Sequence, residues 1–183
     1  MKKILLTLVI FQAIISNDAF SQASIVLKAD GGPGFSFNGG GTLAGYPNSI
    51  EVYSFSDGLQ GCITLSRNCL TTGSGLQLVI PLSHAVTDFK SIMLQGKNLL
   101  ASDMIMLKPS GTGPLTEFFR IHMEDVRVTS VQEGASGESP FVNLQLQPSR
   151  IAWQVITISN TGTQVKSSYG WDFAKAIPFN YVF

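Results

Sequence analysis

Apolar and polar residues alternate along most of this chain with a period of two, the repeat of a strand that buries one face. Phe119, Ile121 and Met123 alternate with Arg120, His122 and Glu124; the phase then shifts at Asp125, and Val126 and Val128 resume. A β-bulge at Glu124 and Asp125 is the simplest device for such a shift. Further on, Val142, Leu144 and Leu146 alternate with Asn143 and Gln145, and Ile151, Trp153 and Val155 alternate with Ala152 and Gln154. Gln147, Pro148 and Ser149 are expected to make a turn between these two strands, because proline cannot donate to a ladder. Ser24 to Ala29, Ser49 to Ser56, Leu76 to Ile80 and Leu100 to Leu107 complete the expected strands. The glycine-serine stretches Gly73 to Gly75 and Gly134 to Gly137 read as hairpin turns. The pattern predicts a mainly β fold with antiparallel sheets.

One segment departs from it. From His84 to Gln95, Val86, Phe89, Ile92 and Met93 recur at helical spacing, and Gly96 stands where a helix stops. A single amphipathic helix is expected there, laid against the open side of the sheet.

At the amino terminus Lys2 and Lys3 precede an apolar run from Ile4 to Ile15, too short for a membrane span of about 20 residues. Small residues follow at Ala19, Ser21 and Ala23, the signature of a secretory signal peptide over residues 1–23. That division leaves one domain, 24–183, and an exported protein, periplasmic or secreted. The whole chain has 12 basic and 12 acidic residues. Removing Lys2, Lys3 and Asp18 with the leader puts acids ahead of bases by one, a balance that offers no field for nucleic acid or an anionic membrane.

Cys62 and Cys69 lie in a segment rich in Thr, Ser, Gly and Asn. In an oxidising compartment they are expected to pair as a disulfide. A zinc site would need more soft ligands, and His84 and His122 stand on distant segments. No G-x-S-x-G elbow is present, and a lone histidine in a strand or at a helix start, as His122 and His84 are, reads as a solvated or hydrogen-bonded side chain rather than a catalytic base. The glycines near Gly31 and Gly39 lack the following lysine of a phosphate-binding loop. Glu124 and Asp125 are adjacent, so a strand would turn them to opposite faces; a structural role fits them better than acid-base chemistry. No catalytic residue, metal or cofactor is expected.

Several strings, read in order, resemble the hemolysin-coregulated protein (Hcp) family, the tube subunits of bacterial type VI secretion. Ala29-Asp30-Gly31-Gly32-Pro33-Gly34 is similar to its early D-G-x-x-G turn, and Ser49-Ile50-Glu51-Val52 with Ser54-Phe55-Ser56 to its I-E-V-x-S-x-S strand. Glu124-Asp125-Val126, Arg150-Ile151-Ala152-Trp153 and Gly170-Trp171-Asp172 resemble the later E-D-V, K-I-x-W and G-W-D strings. The resemblance implies two antiparallel sheets curled into a barrel or sandwich with one helix on the side. It also implies a closed ring, six copies in the family, whose lumen carries secreted effectors and which meets other parts of the secretion machine. It brings no catalytic residues. Trp153 and Trp171 match family strings and are expected in the core or at a ring interface, with Trp171 buried at the barrel's end. The signal peptide, the cysteine pair and Gln147-Pro148-Ser149 depart from the family pattern.

The long glycine-rich segment from Asp30 to Gly45, with Gly31, Gly34, Gly39, Gly40 and Gly41, is the candidate contact between subunits. Two other readings stay open. Phe179, Tyr181 and Phe183 alternate up to the last residue as in the closing strand of a small outer-membrane barrel, or form an apolar tail packed on the domain. A secreted binding module would instead expose aromatics on one face.

Overall fold

The computed structural model describes residues 23–60, 72–109, 114–137, 139–159 and 163–183. The segment read as a leader, up to residue 22, and both cysteines lie outside these residues. The strands are β1 (Ser24–Asp30), β2 (Ile50–Glu51), β3 (Ser54–Gln60), β4 (Thr72–Pro81), β5 (Asn98–Pro109), β6 (Leu115–Ser136), β7 (Ser139–Ile158), β8 (Gln164–Asp172) and β9 (Ile177–Pro178). One helix, α1 (Ala85–Leu94), stands among the described residues. None of these elements is a helix long and apolar enough to cross a membrane.

All nine strands belong to one antiparallel sheet rather than two, in the order β2-β1-β5-β6-β7-β4-β3, with β8 on β7 and β9 on β8. The ladder is not closed, yet its two ends are successive in the chain. Val52 donates its N–H to Ile25 O (2.9 Å) and the next residue, Tyr53, to Val79 O (2.8 Å). The strand expected over Ser49 to Ser56 therefore splits, its first half on β1 and its second on β4.

Three strands share a crease. Leu99 pairs with Val126 and Val126 with Pro148; the next inward row is Ser102, Met123 and Ile151. In each strand the step between successive buried residues is three instead of two. Pairing on either side of Asp125 stays in register, so the phase shift read from sequence is real but no residue is inserted. Asp125 takes φ 49° instead, a left-handed conformation that Asp tolerates better than most residues. The register shifts of β6 lie elsewhere, opposite Met106/Leu107 and at Val128/Ser130.

The expected turn at Pro148 is also overturned, since β7 runs through it unbroken. β4 pairs with β7 up to Leu146 and β8 takes over from Arg150 on the same side. Residues 147–149 fall in the gap between these two partners, where a missing N–H costs little. Gly73 and Gly75 likewise lie inside β4 rather than in a turn. Gly75 adopts φ 79° opposite a register shift at Gly58/Leu59, and a Cβ there would meet Leu146 O.

Helix α1 buries Ala85, Val86, Phe89 and Ile92 against the inner face. It ends as its sequence suggests: Gly96 at φ 65° donates to Met93 O and Lys97 to Ile92 O, satisfying two terminal carbonyls. Around it, Leu27, Ile50, Leu76, Leu78, Met104, Ile121, Val126 and Leu144 make one continuous core. A second small cluster, Val26, Ile105 and Leu107, sits on the opposite face of β1 and β5 beneath Leu43 and Tyr46.

Candidate functional site

The glycine-rich segment is ordered by its own bonds. Asp30 Oδ1 accepts from Gly32 N (2.8 Å), Asn38 Oδ1 from Gly40 N (2.8 Å), and Asp88 Oδ2 on α1 from Phe37 N (3.0 Å). Phe37 is buried and packs tilted against Phe89, 4.8 Å between ring centres. Gly39 and Gly41 donate to Asn48 O and Ser49 O. A Cβ on either would strike Ser49 O at 2.5 Å, so the sequence is glycine where two backbones touch. Gly34 and Gly40 face open space at φ 94° and 74°, whereas Gly31 is packed against Ile92 and Phe37.

On the outer face of β5, β6 and β7 lies a charged cluster. Glu124 Oε2 pairs with Arg150 (2.6 Å), and Arg120 with Glu117 (2.9 Å). His122, 5% exposed, has Nδ1 2.9 Å from Asp103 and Nε2 3.4 Å from Glu124. Tyr181 lies flat on its ring and Phe183 meets Tyr181 edge-on. Burial first, then the Asp103 and Glu124 carboxylates, push the Tyr181 phenol above its usual value, against the opposing pull of Arg120. The terminal aromatics thus pack on the domain, the second of the two placements open in the sequence. His84, exposed at the start of α1, is not joined to this cluster.

Asp125 turns away from Glu124, as adjacent strand residues must. It accepts from Asn98 Nδ2 (2.6 Å) and Ser149 Oγ (2.7 Å). These two bonds, Asn98 first, hold its carboxyl below the usual range, with Arg150 and Arg127 adding to them. Through these bonds it touches β5 and β7 from its place on β6, across the crease.

The Gly170-Trp171-Asp172 string makes a corner. Gly170 leaves room for Phe179, which donates its N–H to Gly170 O (2.9 Å), and Asp172 accepts from Lys175 N (2.9 Å) in the turn into β9. Trp171 is not buried in the core. It pairs with Ile151 on β7 and with Pro178 on β9, beyond the last pairs of β4 with β7, and remains half-buried. Trp153 is half-buried too, its Nε1 donating to Asp57 Oδ2 (2.7 Å). Leu59, Trp153, Tyr169, Trp171 and Phe173 together line an open cleft of about 310 Å³. Composition and motif reading singled out the two tryptophans but missed Leu59, Tyr169 and Phe173: the pairing of β7 with β8 sets Tyr169 beside Trp153, and Leu59 of β3 and Phe173 after β8 reach the cleft from other parts of the sheet.

Residues 10–155 match the family model described as the type VI secretion system effector Hcp. The chain belongs to the Hcp family. The match begins inside the segment read as a leader and ends in β7, so the Gly170-Trp171-Asp172 corner lies beyond it. No curated protein matches the sequence. Among solved structures, one described as a type six secretion system protein superposes with a TM-score of 0.73 at 19% identity, covering 86% of this chain and 100% of that one. Hcp1 from Salmonella typhimurium gives 0.66 at 19% identity, covering 86% and 99%. Another Hcp protein gives 0.66 at 13% identity, covering 83% and 98%. At these identities the likeness is one of fold. Hcp proteins are structural tube proteins of type VI secretion.

Proposed function

We propose that this Hcp-family chain is an exported subunit that assembles head to tail into a closed ring, six copies as the family resemblance implies, and so works as a tube or channel element. The observation that carries this reading is the family match over residues 10–155 together with a fold that covers 100% of a type six secretion system protein. In this reading the single sheet wraps into a barrel, supported by the successive bonds of Val52 and Tyr53 to strands at opposite ends of the ladder. Residues 1–23 act as a secretory signal, supported by Lys2 and Lys3 before the apolar run. Export to the periplasm or beyond favours a Cys62 to Cys69 disulfide. The partners are other copies, effectors carried in the lumen, and neighbouring secretion components. The glycine-rich segment, with Gly34 and Gly40 at its exposed tips, is the contact between subunits or stacked rings.

The test is to express the full chain in a Gram-negative host, collect the exported protein and determine its first residue and molar mass by light scattering. A chain beginning near Gln22 or Ser24 and a ring visible by electron microscopy are expected. A monomer across a wide range of concentration overturns the ring.

A further inference from the structure

Large apolar side chains left in water concentrate on one face of the β7–β8 arm. Trp153, Val155 and Thr157 on β7 pair with Tyr169, Ser167 and Val165 on β8, and Trp171 follows opposite Ile151. Alternate residues of a strand share a face, so Trp171, Tyr169, Trp153, Val155 and Val165 form one strip. Tyr169 is 58% exposed, Val165 51% and Val155 43%. Leu59, 54% exposed, and Phe173 extend the strip into the 310 Å³ cleft. Among the described residues, no charged side chain lines that cleft.

The strand beside the strip is an edge. β8 pairs with β7 along its whole length but with β9 only at Trp171 and Asp172. Among the described residues, Val165 to Tyr169 have no strand on their outer side, and alternate backbone groups there point away from β7. A long unpaired edge next to an apolar face accepts another strand.

Two more exposed apolar side chains stand near the far end of the β3–β4 hairpin. Tyr53 is 53% exposed and Leu82 51% exposed, and both adjoin the end where Ser54 pairs with Val79. Six strand residues, roughly 20 Å, separate Tyr53 from Leu59. Two different sets of exposed apolar side chains at opposite ends of one hairpin are what a head-to-tail contact between identical chains requires. The chain has a formal charge of zero and only 13% charged residues, so little repulsion opposes such a contact.

We propose that the Trp153/Tyr169/Trp171 strip and the outer edge of β8 form an interface that receives the Tyr53/Leu82 end of a second copy of this chain. The inference rests on the ring reading and assigns its surfaces. An aromatic-walled cleft beside a strand edge supplies both halves of such recognition: main-chain bonds fix direction, and the cleft takes a large apolar side chain at the centre of the contact.

Three variants of the exported full chain test it: Tyr169→Glu, Leu82→Glu and, as a control at an 82% exposed residue outside both sets, Leu94→Gln. All three positions are exposed, so circular dichroism should be unchanged. Tyr169→Glu and Leu82→Glu should each raise the concentration for half-assembly roughly 30-fold or more, as loss of a central anchor does, while Leu94→Gln should not. Mixing the two disrupted variants should restore one good contact per pair and give a 1:1 dimer that grows no further. In the wild type, outward amides of Val165 to Tyr169 should exchange more slowly when assembled than when dilute, a readout that needs no variant to fold. Wild-type rings that survive both substitutions, or fast exchange along β8 within the ring, overturn this surface and leave the ring standing. A monomeric wild type overturns the ring and this contact together.

Discussion

Tyr181 lies on His122 with ring centres 3.7 Å apart and planes tilted by 13°. The contact fastens the last residues of the chain over a histidine held between two carboxylates, Asp103 and Glu124. Tyr181→Ala should cost about 1–3 kcal/mol in chemical denaturation, because it removes the stack and uncovers the cluster. Tyr181→Phe keeps the stack and should cost well under that. The phenol is raised above its ordinary value, mainly by burial, so its contribution to stability is present below about pH 10 and is lost as pH rises through the folded value. The Phe variant should therefore show a shallower alkaline decline than the wild type. Equal declines would mean that the tail does not bury Tyr181 in solution.

Asp125 should give the opposite pH signature. Its carboxyl is lowered by bonds from Asn98 and Ser149, so its contribution is present above the ordinary carboxylate value and is lost as pH falls through the lower folded one. Asp125→Asn, which also tolerates a positive φ, should fold well but show less acid-side loss of stability. Asp125→Val must hold φ 49° with a β-branched side chain and should cost about 1–3 kcal/mol at any pH. If Val is as stable as Asn, the crease is not held by this residue.

The glycines of the segment from Asp30 to Gly45 divide by what surrounds them. Gly39→Ala would place a methyl group against Ser49 O and the backbone of Ile50, and no flexible side chain is there to yield. Gly34→Ala meets open space and carries only the cost of φ 94°, about 1 kcal/mol. Thermal unfolding should therefore place Gly39→Ala well below Gly34→Ala. Equal melting temperatures would mean that the segment stands off the sheet.

What sequence shows and hides follows from range. Helix α1 was legible because Val86, Phe89 and Ile92 face one way and Gly96 ends it, all within one local window. The strands around Ile121, Leu144 and Ile151 were legible for the same reason. Pro148 misled, because a proline inside a central strand is tolerated only where neighbouring strands leave a gap, and that gap depends on where β4 ends and β8 begins. The phase shift at Asp125 was visible, but a crease shared with Leu100 and Ser149 needs three strands to be seen at once. The segment from Asp30 to Gly45 read as a long glycine-rich loop, and the bond from Phe37 N to Asp88, far along the chain, that ties it to α1 lay outside any local window.

The two tryptophans offer the last discrimination. Trp171 was expected in the core, where its loss would cost about 3–5 kcal/mol. Standing half-covered in an open cleft, it should cost about 1–2 kcal/mol as Trp171→Ala, since only part of its surface leaves water on folding. Trp153 is also half-covered, but it packs against the core and donates to Asp57. Trp153→Ala should therefore cost more, and Trp153→Phe should recover the packing while leaving Asp57 without its 2.7 Å donor, a loss of about 1 kcal/mol. A double-mutant cycle with Asp57→Asn isolates that bond. The coupling should be favourable and of that size; zero coupling, or a larger cost for Trp171→Ala than for Trp153→Ala, would place the covered ring at the other position and remove the cleft's open wall.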